Sequence, residues 1–328
     1  MKHLKRNIIF SLLLIFTLSF LGCIKEDQKK PSNNSSNNSS NEKKNNNKEQ
    51  AEQKYPIRIV DSLDRKVTIV DEPEKVISLA PNISEIIYAL GKENLLVGRT
   101  ALCDFPESIL GIESIGDFYN PNIDKIVELT PDIIIMSSLA SEKTLSKLDE
   151  LKLPYMVINE DESIEGTYTC IEKIGYVLNS EKESEDLINE MKTKIGDISS
   201  KVSKSNKPRV HFIVDFGYSA GKDTYISQMI NAAGAINAAD NITGWNYSLE
   251  KLIESDPDII IAPKKLIAQV LERNGYKDLR AVKNKKLYVI DDAVISRQGP
   301  RITDGIEILA RIIHPDEFKE EMENESSK

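Results

Sequence analysis

The chain has 328 residues, enough for two domains of ordinary size, each with its own core. Residues 1–50 carry nine Lys/Arg against four Asp/Glu, so of the overall charge of −9 the rest of the chain holds −14. That acidic body excludes the basic face nucleic acid selects, while three scattered His, three Cys and no CxxC pair exclude metal-ligand spacing.

Met1 to Arg6 is a basic segment, and Ile8 to Leu21 is an apolar run of 14 residues, short for a membrane span and right for the hydrophobic part of a signal peptide. The run ends at Leu21-Gly22-Cys23, which resembles the bacterial lipoprotein signal, although Phe20 and Leu21 are bulkier than that pattern prefers. The resemblance implies a signal peptide over 1–22 and lipidation of Cys23; an uncleaved anchor is the alternative. Residues 23–54 are dominated by Asn, Ser, Lys, Glu and Gln and offer no apolar surface to bury, which predicts a disordered tether. The expected location is the outer face of a cell membrane.

The body begins with alternating apolar residues from Tyr55 to Val70 around Ser62-Leu-Asp-Arg65, a β-hairpin pattern. Strand and helix then alternate. Strands are predicted at 76–79, 95–98, 133–136 and 155–158, with helices after Pro81, at 141–151 and at 164–178. From Glu181 to Val202 apolar residues fall at 187, 188, 191, 195, 198 and 202, the period of one long amphipathic helix. Further strands are predicted at 209–214, 259–262 and 287–290, with helices at 225–233, 266–273 and 301–313. This alternation predicts α/β lobes with parallel sheets. The expected limits are 55–180 for the N-terminal lobe, 181–205 for a single helix between lobes, 206–315 for the C-terminal lobe and 316–328 for a polar tail. Cys103 and Cys170 are simplest as free buried thiols, with a disulfide left open.

One phrase occurs twice. Asn122-Ile-Asp124-Lys-Ile-Val-Glu-Leu-Thr-Pro-Asp-Ile-Ile-Ile135 returns 126 positions later as Ser248-Leu-Glu250-Lys-Leu-Ile-Glu-Ser-Asp-Pro-Asp-Ile-Ile-Ile261. Each copy reads as a capped short helix with an acid at its second residue, a Pro-Asp stop and a buried strand. A repeat of this length is a whole lobe, and two lobes imply a cleft.

With these elements in order, the chain resembles the cobalamin and iron-complex binding proteins that feed ABC importers. The landmarks are Ile77 to Gly91, Cys103-Asp-Phe-Pro106, Gly116 to Asn122, the two Pro-Asp-Ile-Ile-Ile strands and Gly299 to Arg311. The resemblance spans Val76 to Pro315. It implies two Rossmann-like lobes joined by one long α-helix, a ligand cleft between them, and docking of Asp124 and Glu250 onto an ABC permease dimer. A lone acid in a first helical turn is also explained by the helix dipole.

The same analogy places ligand contacts on loops at strand ends. The candidates are Asn82, Leu102, Phe118 and Tyr119 from the first lobe, Phe216, Tyr218 and Trp245 from the second, and Arg297 and Arg301 from the closing segment. Phe118 and Phe216 could equally pack in a core, and the arginines could pair with surface acids. A corrinoid, which carries its own lower ligand, is favoured; haem and ferric siderophores stay open. No resident cofactor, metal site or catalytic set is expected, since no phosphate loop, dinucleotide motif or nucleophile–base arrangement can be assembled. A two-lobed enzyme and a surface sensor remain alternatives of other classes.

Overall fold

The computed structural model describes residues 54–159 and 161–326. The expected leader, Cys23 and the tether through residue 53 lie outside the described residues.

The predicted hairpin is present as β1 (Ile57–Val60) and β2 (Lys66–Ile69), antiparallel with Ile57 opposite Ile69. Buried Asp61 closes its turn by accepting from Leu63 N and Arg65 N, both at 3.0 Å. Asp61 also accepts from Val157 N at 3.2 Å, which ties the hairpin to the first lobe.

That lobe runs β3 (Val76–Ser78), α1 (Pro81–Ala89), β4 (Leu96–Arg99), α2 (Ile123–Leu129), β5 (Ile133–Ser137), α3 (Glu142–Glu150) and β6 (Tyr155–Ile158). Its sheet is wholly parallel, in the order β4-β3-β5-β6. After α4 (Ile164–Val177) and α5 (Glu181–Lys201) comes the second lobe. It contains β7 (Arg209–Asp215), β8 (Tyr218–Ser219), α6 (Tyr225–Ala232), β9 (Ile236–Asn237), α7 (Leu249–Ser255), β10 (Ile259–Pro263), α8 (Lys264–Glu272), α9 (Arg280–Lys283) and β11 (Leu287–Ile290). The chain closes with α10 (Asp292–Ser296), α11 (Ile302–Ile313) and α12 (Lys319–Ser326). Here β9, β7, β10 and β11 lie parallel in that order, repeating the first lobe's pattern, and β8 adds an antiparallel edge beside the far end of β7.

The duplicated phrase folds the same way twice. The Asn122 side chain accepts from Lys125 N and Ser248 accepts from Lys251 N; Thr130 and Asp256 end their helices in the left-handed region. Both Pro-Asp carboxylates hold the entry of the neighbouring first strand: Asp132 accepts from Glu74 N and Lys75 N, and Asp258 from Arg209 N, all at 2.8 Å. The isoleucine runs are buried on both faces, as parallel strands require. Ile133 and Ile135 enter one core while Ile134 and Met136 enter another; Ile259 and Ile261 divide from Ile260 and Ala262 in the same manner.

The core on the inner faces is continuous between lobes. It joins Ile83 and Ile86 of α1, Ile171 and Ile174 of α4, Ile188 of α5, Ile226 and Ile230 of α6, and Ile306 and Leu309 of α11. The long helix α5 is therefore one member of a shared helical layer. The stretch expected as a polar tail from residue 316 is folded: buried Phe318 anchors it, with the Lys201 ammonium 4.3 Å from its ring. Cys103 and Cys170 are both buried, and no disulfide joins them.

Candidate functional site

A cleft of about 550 Å³ opens between the two lobes at the carboxyl ends of their strands. From the first lobe Leu79 to Asn82 follow β3, Ser137 to Leu139 end β5, and Asn159 and Glu162 follow β6. Leu102 and Phe118 come from the long connection between β4 and α2. The second lobe contributes Tyr225 at the start of α6 and Trp245 just before α7, and the closing segment brings Ser296, Arg297 and Gln298. Leu102 and Leu139 stay 52% and 61% exposed at this cleft, apolar surface on offer to an occupant.

Of the residues predicted to touch a ligand, the fold brings Asn82, Leu102, Phe118, Trp245 and Arg297 together here. Four others do not line the cavity. Tyr119 packs against Phe118, with ring centroids 3.8 Å apart, and is exposed. Tyr218 is on β8, paired with Asn246 and exposed. Phe216 packs against the outer core of the second lobe, edge-on to Tyr276 at 5.0 Å and beneath the Arg273 guanidinium at 4.2 Å; core packing claimed this aromatic, as it claims most. Arg301 lays its guanidinium 3.9 Å over the Phe105 ring.

The two arginines of the closing segment are already matched by carboxylates. Arg297 Nη1 donates to Glu85 Oε1 at 2.9 Å and to Asp104 Oδ1 at 2.7 Å, its Nη2 donates to Leu102 O at 3.3 Å, and Arg301 Nη1 reaches the same Glu85 oxygen at 3.3 Å. Glu85 and Asp104 belong to the first lobe, so the pairs bridge the lobes and hold one wall of the cleft. Glu85 is buried and its Oε2 has no hydrogen-bond partner among the described residues. Burial pushes its carboxyl pKa up, against the pull of both guanidinium groups. The opposite holds at exposed Asp104, where the Arg297 hydrogen bond keeps the carboxyl below its ordinary range. Gln298 continues the strap, donating to Asp161 O at 2.9 Å and Ser163 O at 3.0 Å.

Arg99 supplies no charge to the cleft. It is buried and donates to the carbonyls of Ile109, Thr100 and Leu110. Neither body histidine is there: His211 is buried in the second lobe, 5.1 Å from the Tyr247 ring, and His314 Nε2 lies 3.1 Å from Gly234 O. A separate concavity of about 670 Å³ lies at the amino end of β7 and draws on the segment after α5, the second lobe and the chain end.

Sequence reasoning missed Glu85, Ser137 to Leu139, Asn159, Glu162, Tyr225 and Gln298. The rule that α/β ligands sit at carboxyl strand ends, applied to β5 and β6 as it was to β3, would have found the serines, Leu139 and Asn159. Glu85 had no such signal, because it stands inside an apolar helix face.

Asp124 and Glu250 are exposed at the second residues of α2 and α7. The Glu250 carboxyl is held below its ordinary pKa by its own backbone N–H and the Ser248 hydroxyl.

A family model described as "Periplasmic binding protein" matches residues 76–294. The chain is 34% identical over 283 residues to the uncharacterized ABC transporter substrate-binding lipoprotein YvrC of Bacillus subtilis, covering 83% of this chain and 90% of that one. It is 24% identical over 275 residues to a cobalamin-binding protein of Halobacterium salinarum, covering 79% and 74%. Among solved structures, the periplasmic heme-binding protein RhuT of Roseiflexus superposes with a TM-score of 0.67 at 25% identity, over 74% of this chain and 99% of that one.

Proposed function

Since the chain belongs to the periplasmic binding protein family, we propose that it captures a bulky metal complex outside the cytoplasm and delivers it to the permease of an ABC importer, with a corrinoid as the favoured ligand. The likeness to the lipoprotein YvrC supports the importer role and, with the leader, a lipid anchor at Cys23.

The observation that carries the ligand choice is the neutralised arginine wall. A catecholate or other strongly anionic complex needs uncompensated cations, and Arg297 is already committed to Glu85 and Asp104. What the cleft offers instead is aromatic and aliphatic area from Phe118, Trp245, Leu102 and Leu139, together with the amides of Asn82, Asn159 and Gln298 and the hydroxyls of Ser137 and Ser138. Those groups suit a large ring system fringed with amides that brings its own axial ligand. Haem is the second reading, favoured by one residue: Tyr225 lines the cleft, and a phenolate can ligate haem iron.

Trp245 is the chain's only tryptophan, so its fluorescence reports the cleft without ambiguity. Titration with cyanocobalamin, cobinamide, haem and a ferric catecholate is expected to quench it with the corrinoids, and quenching by the catecholate alone would refute the ligand choice. Delivery uses Asp124 and Glu250 as one contact per lobe on a two-fold permease. Reversing both charges with Asp124→Lys and Glu250→Lys should leave the titration unchanged and abolish uptake of the same ligand by cells; uptake that survives would remove the docking role.

A further inference from the structure

The repeat helices match in more than their acids. Along α2 and α7, Ile123 and Leu249 are half-buried, Ile126 and Leu252 are buried at 0% and 1%, and Val127 and Ile253 stand 43% and 50% exposed. Val127 and Ile253 are equivalent positions in the two copies, each three residues after its acid. Residues three apart share one face of a helix, so each lobe presents a carboxylate and a branched apolar side chain as neighbours. A single exposed valine needs no explanation, but the same exposed pair in the same register on both lobes does.

Resting on the docking reading above, we propose that each permease contact has two parts, with Val127 and Ile253 seated in matching apolar recesses beside the cationic groups that meet Asp124 and Glu250. The helices occupy equivalent places, since α2 leads into β5 beside β3 and α7 leads into β10 beside β7. The partner must therefore offer the same recess twice. Neither acid has an ion-pair partner among the described residues, and Lys125, the near cation on α2, is drawn instead to Glu113. Two uncompensated carboxylates repel both an anionic lipid surface and the same face of a second copy of this acidic chain. A cationic, two-fold protein fits; the acids supply steering and register, while the apolar pair supplies dehydrated contact.

The test runs in cells that make the natural full-length chain. A photo-crosslinking residue at 128, exposed on α2 one turn beyond Asp124, should capture a polytopic permease, and the same residue at 127 and at 253 should capture that same protein. Binding of the purified chain to this permease in lipid nanodiscs is then measured for Val127→Ser, Ile253→Ser and the double variant. Loss of one apolar anchor should weaken binding about three- to tenfold, the double variant should lose more, and Val127→Leu should retain binding. All should keep the wild-type melting temperature and Trp245 titration, because the altered side chains lie outside core and cleft. Wild-type binding by the double variant, with crosslinking at 128 intact, would overturn the apolar contact alone. Failure to capture any permease from 128 would overturn the docking reading and this inference together, as would capture of a second copy of the chain from 127 or 253.

Discussion

Arg297 reads in the chain as an isolated cation and becomes, in the fold, the centre of a charge-balanced cluster in which it and Arg301 face Glu85 and Asp104. Its place in the cleft was legible because it precedes the closing helix; its charge balance was not, because both carboxylates come from roughly 200 positions away. His211 shows a second consequence of burial. It is fully enclosed, its Nδ1 has no hydrogen-bond partner among the described residues, and desolvation pushes its pKa from 6.5 down to about 3. The unfolded chain therefore binds a proton near pH 6.5 that the native protein refuses. Stability from this residue is complete above that pH and is lost as pH falls toward 3, by something on the order of 5 kcal/mol in total. Urea unfolding from pH 7 to pH 5 should show this slope in the natural protein and a flattened one in His211→Leu.

Among the secondary elements, those carrying a clear apolar pattern were legible, and the two-residue strands and shortest helix were not. The period along α5 and the apolar runs of β5 and β10 extend far enough to establish their type. Two-residue strands such as β8 and β9, and the four-residue α9, hold less than one informative period and form only because β7 and β10 stand beside them. The joint between α4 and α5 depends on small residues. A Cβ at Gly175 would lie 1.7 Å from Ser184 Oγ and 2.9 Å from Ser180 O, while Ser184 Oγ donates to Ser180 O at 2.9 Å. Gly175→Val should therefore force the two helices apart and destabilise the protein by about 1–3 kcal/mol or more. Thermal unfolding would measure it, and Gly196→Ala on α5, with open space around it, serves as the control.

In the whole molecule, the lobes share one buried layer instead of meeting across a flexible linker. Opening the cleft by hinge rotation would expose apolar contacts among α1, α4, α6 and α11 and break the Arg297 bridges to Glu85 and Asp104. Ligand binding is therefore expected to change the spacing of the lobes by less than about 2 Å. Paired spin labels on Lys147 of the first lobe and Lys265 of the second, both exposed, would measure it. A shift of several ångströms on adding ligand would show that the shared layer yields.

The duplicated phrase, the alternation of elements and the long amphipathic helix were present in the chain because helix and strand type depend on side-chain periods over ten or so residues. So was the cleft's general location, which five of the nine residues proposed there line, since loops at strand ends follow from the topology. The remaining assignments waited on the folded molecule. Whether Phe216 faces a ligand or a core, which carboxylates quench Arg297, and whether the lobes share a core are matters of contact between segments remote in sequence, and no local pattern records which partner a side chain will meet.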